Sequence, residues 1–159
     1  ATVRKNKSGI VVKGLHDLAV RFSRCCNPVP GDEIVGFVTR GRGVSIHRTD
    51  CINVINLPED ERGRLIDAEW QVAENPTSTE QYSTEIQIFA NNRIGLFADI
   101  SKVFTEKQID ITSMNVRTSK QGRATIIMTF DIHGTEELNR ITDKIRQIDG
   151  GLDIQRTTG

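Results

Sequence analysis

The second half of the chain carries the plainest alternation of apolar and polar positions. In "STEIQIFA" (Ser83–Ala90), Ile86, Ile88 and Ala90 recur at every second residue, which predicts a half-buried strand. The period then lengthens. "IGLFADISKVFTEKQ" (Ile94–Gln108) places Leu96, Phe97, Ile100, Val103 and Phe104 on one stripe of a helix. "DITSMNVRTS" (Asp110–Ser119) alternates again, "KQG" (Lys120–Gly122) reads as a hairpin turn, and "RATIIMTFDI" (Arg123–Ile132) is the returning strand. After Gly134, Thr135 is the expected N-cap of a helix whose stripe is Leu138, Ile141, Ile145 and Ile148. A short strand, "LDIQRT", follows.

The order is therefore βαββαβ, which predicts a four-stranded antiparallel sheet with two helices on one face, the ferredoxin-like arrangement. The first half is less regular. "GIVVKG" (Gly9–Gly14), "EIVGFVTRG" (Glu33–Gly41) and "GVSIHR" (Gly43–Arg48) read as strands, the last two joined by a tight Gly-Arg-Gly turn. "TDCINVINL" reads as a short helix capped by Thr49 or Asp50, and "RLIDAEW" as a strand that closes a small sheet with Trp70 as its apolar anchor. Between the halves, "QVAENPTSTEQYST" (Gln71–Thr84) is polar and contains Pro76, so it reads as a joint. The expected class is α+β: a small α/β module over 1–74, a linker over 75–83 and a βαββαβ domain over 84–159.

Charge separates the halves further. The chain of 159 residues is formally neutral, yet residues 1–50 hold nine Lys/Arg against four acids, net +5. Residues 51–74 hold two against six, net −4, and the remainder ten against eleven, net −1. A local basic surface can meet phosphate although the whole is neutral. No apolar run approaches the roughly 18–20 residues of a membrane span, and the N-terminus lacks a secretory signal's apolar core, so a cytoplasmic protein is expected. An N-terminal Ala in place of Met suits an excised piece of a longer chain.

All three cysteines and one of three histidines fall within Cys25–Cys51. An odd cysteine count without a secretion signal argues against a disulfide scaffold. Cys25, Cys26, His47 and Cys51 are four soft donors, the set that zinc takes in a tetrahedron. Adjacent cysteines on a strand point to opposite faces, so both reach one ion only from a turn, which Asn27-Pro28-Val29-Pro30-Gly31 favours. Two other readings stay open, cysteines as small buried apolar residues and vicinal-disulfide chemistry. Around the cluster stand Arg21, Arg24, Arg40, Arg42 and Arg48, whose guanidinium groups suit shape-directed RNA contact or simple solvation. The histidines His16, His47 and His133 form no catalytic constellation.

The string "GLHDLAVRFSRCCNPVPGDEIVGFVTRGRGVSIHRTDC" resembles the zinc-finger-like ribosome-intersubunit domain of long RelA/SpoT-type (p)ppGpp synthetase/hydrolases. The stretches "NNRIGLFADIS" and "DITSMNVRTSKQGRATIIMTFDI" are similar to the ACT domain that ends those proteins, and the wording lies nearest the bifunctional Rel enzymes of Gram-positive bacteria. The resemblance covers nearly the whole chain. It implies a regulatory piece without its own catalytic centre, docked on large-subunit ribosomal RNA beside A-site tRNA and relaying amino-acid starvation to absent catalytic domains. It also maps the family's cysteine-cluster positions onto Cys25, Cys26, His47 and Cys51, with Asp50 as a matched neighbour, which implies a zinc site there. ACT domains bind small effectors, often amino acids, at the first loop and helix start. That implies Asn91, Asn92, Ile94, Gly95 and Leu96, with Asn115 as a further contact, and pairing of ACT domains into a homodimer.

Overall fold

The computed structural model describes residues 10–12, 19–41, 43–70, 80–150 and 152–157. His16, Arg42 at the centre of the expected Gly-Arg-Gly turn, and most of the expected linker lie outside the described residues. The chain divides between Glu80 and Gln81 into two compact units.

The first unit contains β1 (Ile10–Val12), β2 (Ala19–Phe22), β3 (Ile34–Val38), β4 (Gly43–Arg48), α1 (Ile52–Ile55), a 3-10 turn over Glu59–Arg64 and β5 (Leu65–Trp70). They form one five-stranded sheet in the order β1-β5-β3-β4-β2, antiparallel except where β2 runs parallel to β4. Expected strands appear at β1, β3, β4 and β5. β2 and the 3-10 turn were not anticipated, and β5 lies inside the sheet instead of closing it.

Strand parity gives this sheet two differently used faces. Even-numbered residues Ile10, Val44, Ile46 and Ala68 make an apolar core, packed by Val20, Phe22, Ile34, Ile66 and Trp70. Phe22 and Trp70 stack with ring centroids 5.6 Å apart. The expected anchor thus closes over β2, while its indole N–H donates to the Asp32 carbonyl at 3.1 Å. Gly36 sits in this row because a Cβ there would lie 2.8 Å from Val44 Cγ1 and 3.0 Å from Ile66 Cγ1. On the other face Cys26, Cys51 and Val54 form a second cluster with Cys25, Val35 and Leu65.

The second unit contains β6 (Tyr82–Asn91), α2 (Leu96–Glu106), β7 (Ile111–Thr118), β8 (Arg123–Ile132), α3 (Thr135–Arg146) and β9 (Asp153–Arg156). This is the expected βαββαβ order, with a wholly antiparallel sheet β7-β8-β6-β9. The even face of β6 and β8, from Ile86 and Ile88 to Ile126, Met128 and Phe130, is buried with Leu96, Ile100, Phe104, Leu138, Ile141 and Ile145 of the helices. Phe104 meets Phe130 edge to face at 4.8 Å. β7 is the exception: Met114 and Val116 share the face of Met128 and Ile126 but stay 37% and 39% exposed at the sheet edge.

Two caps differ from expectation. Cys51, not Thr49 or Asp50, is the N-cap of α1, and its side chain makes no capping bond. The other two side chains are engaged elsewhere, Thr49 with Glu33 at 3.4 Å and Asp50 with Arg48. Thr135 is the first helical residue of α3 and Gly134 its cap. Glu137 reaches back from the first turn to accept from the backbone N–H of His133, the residue before the cap, at 3.2 Å. Among the described residues no helix is long and apolar enough to cross a membrane.

Candidate metal centre

Three elements of the first unit deliver four donor atoms to one point. His47 lies on the odd face of β4, opposite Val35 of β3. Cys51 lies at the start of α1. Cys25 and Cys26 lie in the turn after β2, closed by the Asn27 N–H donating to the Ser23 carbonyl at 2.9 Å. Asn27 takes a left-handed conformation (φ 47°), which asparagine tolerates better than most residues. Because the pair occupies a turn and not a strand, both thiols face the same side.

The four ligand atoms lie within 4.8 Å of one another. Cys25 Sγ is 3.4 Å from His47 Nδ1, 3.6 Å from Cys51 Sγ and 4.0 Å from Cys26 Sγ, and Cys26 Sγ is 3.8 Å from His47 Nδ1. Tetrahedral coordination with metal–sulfur bonds of about 2.3 Å and metal–nitrogen bonds of about 2.1 Å requires edges of roughly 3.6–3.8 Å. The observed edges surround that range, so the residues fit a four-coordinate ion.

Outer contacts fix this arrangement. Ser23 Oγ is 2.9 Å from His47 Nε2, on the side of the ring away from the cysteines. With Nδ1 turned to an ion, Nε2 carries the proton and donates to Ser23 Oγ. The Arg48 backbone N–H donates to Cys26 Sγ at 3.3 Å. Burial pulls the His47 pKa down, and the nearby Arg21 charge adds to this, so the ring is held neutral, the form that ligates. Burial, as the largest cause, also raises the Cys26 and Cys51 thiols. An incoming cation has to displace their protons.

The arginines divide between outward and inward. Arg21, Arg24 and Arg40 are exposed, Arg21 donating to Ser45 Oγ at 3.1 Å and Arg40 lying 3.9 Å from Glu61. Arg48 is only 5% exposed, which departs from the expectation of an outward guanidinium. It donates inward to the Cys26 carbonyl at 3.2 Å and sideways to the Asp50 carboxylate at 2.9 Å. Arg48 therefore fastens the cysteine turn. Its strand position gave no sign of this; the Arg-x-Asp spacing was the only local hint.

In the second unit the expected effector residues do not converge. Leu96 is fully buried, so it offers only backbone, whereas Ile94 is 99% exposed. Asn91 accepts from Arg123 at 2.9 Å, and the Asn92 N–H donates to the Gly122 carbonyl. Asn115 pairs with Ile127 on the odd face, opposite the helices. It stands four residue rows from Asn91, about 13 Å along the strands. Gly95, at φ 82°, turns the chain into α2. Arg93, a residue the sequence did not single out, braces this loop by donating to Asp99 and to the Asp149 carbonyl, both at 2.8 Å.

The chain thus carries a small module with a four-donor cluster that could hold a metal ion, followed by a βαββαβ domain. Residues 10–71 match the RelA/SpoT RIS domain and residues 78–156 match an ACT domain. The chain belongs to the RelA/SpoT family. It is 39% identical over 150 residues to a GTP pyrophosphokinase of Streptomyces coelicolor, covering 94% of this chain and 17% of that protein. It is 36% identical over 156 residues to the GTP pyrophosphokinase of Escherichia coli K12, covering 98% of this chain and 20% of that one. The chain thus spans about a fifth of the length of these relatives. A crystal structure of the ACT domain from the GTP pyrophosphokinase of Chlorobium tepidum aligns with 48% of this chain and 99% of its own, at 20% identity and a TM-score of 0.43.

Proposed function

We propose that this chain is the regulatory region of a cytoplasmic stringent-response enzyme that makes and hydrolyses (p)ppGpp, and that it docks on the ribosome through its first unit. The reading assigns zinc to Cys25, Cys26, His47 and Cys51, because two or more thiolates with an imidazole in a tetrahedron are the donors zinc favours. When bound, zinc supplies structure, not chemistry: it ties the turn after β2, strand β4 and helix α1 into one rigid knuckle. The ACT domain then relays the docked state to catalytic domains outside this chain.

The observation that supports docking most is the exposure of Arg21 and Arg24 on the segment that leads into the knuckle, with Arg40 exposed at the far end of the β3–β4 hairpin, while Arg48 turns inward to hold the cysteine turn. Guanidinium groups held on a rigid turn bind backbone phosphate without reading sequence. In this reading the contact is to large-subunit ribosomal RNA and A-site tRNA, and two ACT domains pair into a homodimer. The test is ribosome co-sedimentation across a salt series. Replacing Arg21, Arg24 and Arg40 with Glu should weaken binding severalfold and flatten its salt dependence by about one slope unit for each phosphate no longer neutralised. Unchanged binding overturns the RNA-docking reading.

A second reading, an amino-acid effector at the Asn91–Leu96 loop, rests on Gly95, whose backbone a ligand can approach at the start of α2. Calorimetry of the chain with branched-chain and other amino acids tests it. Heat absent across the panel overturns it.

A further inference from the structure

The four donors of the knuckle are not equivalent. Cys26 and Cys51 are 1% and 0% exposed, whereas Cys25 is only partly buried. Cys26 Sγ accepts a backbone N–H from Arg48, and Cys51 is likewise approached by the backbone N–H of Asn53. The polar contacts that Cys25 Sγ makes are to other members of the cluster: His47 Nδ1, Cys51 Sγ and Cys26 Sγ. Cys25 is thus the sulfur that a small reagent from solvent meets first.

Its neighbours differ in what they can do next. Cys51 Sγ is 3.6 Å away on a separate element, so closing to a disulfide length of about 2.05 Å needs a movement of about 1.5 Å shared between a turn and a helix end. Cys26 Sγ is farther, at 4.0 Å, and adjacent in sequence. A bridge to it would close a tight ring through a single peptide unit, against the usual separation of bridged Cα atoms.

We propose that Cys25 and Cys51 are a peroxide-oxidisable pair, and that their disulfide dismantles the metal site. The Cys25 sulfur attacks one oxygen of hydrogen peroxide, the O–O bond breaks, and Cys25 becomes a sulfenic acid as the first water leaves. The Cys51 sulfur attacks the Cys25 sulfur, the S–OH bond breaks, and the hydroxide departs with the Cys51 proton as a second water. Two thiols lose two electrons and two protons, and one peroxide becomes two waters. Two donors, Cys26 and His47, remain, too few for the closed four-ligand site of a structural ion. The release of metal rests on the zinc reading above; the disulfide itself does not.

The whole 159-residue chain, reduced and assayed for metal, is treated with hydrogen peroxide near equimolar and then alkylated, digested and mass-mapped. Free thiols should fall from three to one, with a Cys25–Cys51 cross-link, and a dye that reports zinc should rise in step. Cys26→Ser should still form the cross-link and Cys25→Ser should not. A Cys25–Cys26 or Cys26–Cys51 bridge, or thiols consumed only as sulfinic and sulfonic acids, overturns the proposal. Zinc content before oxidation reports separately on the metal reading, so a cross-link in zinc-free protein sinks that reading and leaves the disulfide standing.

Discussion

Ser23 Oγ lies 2.9 Å from His47 Nε2, behind the ring that offers Nδ1 to the three cysteines. The hydroxyl holds the tilt of the imidazole and can accept the Nε2 proton that a metal at Nδ1 requires. Ser23→Ala should therefore lower zinc affinity about 10–100-fold, the usual effect of removing such an outer contact, while Ser23→Thr retains most of it. Competition against a chelator of known affinity measures both. Equal affinity for Ser23→Ala and the parent chain would show that the ring is held by packing alone.

Arg48 and the exposed arginines should separate in a denaturant experiment. Arg48→Ala leaves the Cys26 carbonyl without its side-chain donor in a buried turn, and should cost about 1–3 kcal/mol in the first unit. Arg24→Ala should stay within about 0.5 kcal/mol of the parent, as surface changes do. Similar destabilisation by the two would mean that Arg48 holds nothing in place.

Gly36→Ala places a methyl 2.8 Å from Val44 Cγ1, and both Val44 and the neighbouring Ile46 are fully buried. Overpacking of this kind costs about 1–3 kcal/mol. The destabilisation should appear in urea unfolding of the first unit and leave the unfolding of the second unchanged.

Gly95→Ala forces an L-residue to φ 82°, at a cost of about 1–2 kcal/mol. Space is not the limit, since the nearest atom to an added Cβ is the end of Arg93 at 3.7 Å. Gly95→Asn should therefore cost less than Gly95→Ala in thermal or urea unfolding of the second unit, because asparagine tolerates the left-handed region. The order reversed would mean that side-chain crowding governs the turn.

The second unit was legible because its buried positions are local and periodic. Ile86 and Ile88, or Leu138, Ile141 and Ile145, announce a face without reference to any other element. β2 was hidden for the opposite reason. It has four residues, one of them Arg21, and exists through parallel pairing with β4, whose residues lie more than twenty positions away. The four donors were found from residue type and spacing, and their convergence depended on the turn that Asn27 closes. Arg48 was misplaced because burial of a guanidinium is decided by what folds over it, here the Cys26 turn, and strand pattern carries no record of that. Asn115 shares the odd face of the sheet with Asn91 but stands four residue rows along it, a separation that strand pattern alone does not give.

Strand β4 carries Ile46 and His47 side by side, one facing the apolar core and the other the cysteines. A slip of one residue against β3 would exchange them, sending imidazole into the core and an isoleucine to the knuckle. Binding of an ion is possible only when β4 is correctly threaded. The metal would thus proofread the pairing of β3 with β4, and a chain loaded with zinc is one whose central hairpin has been assembled in frame.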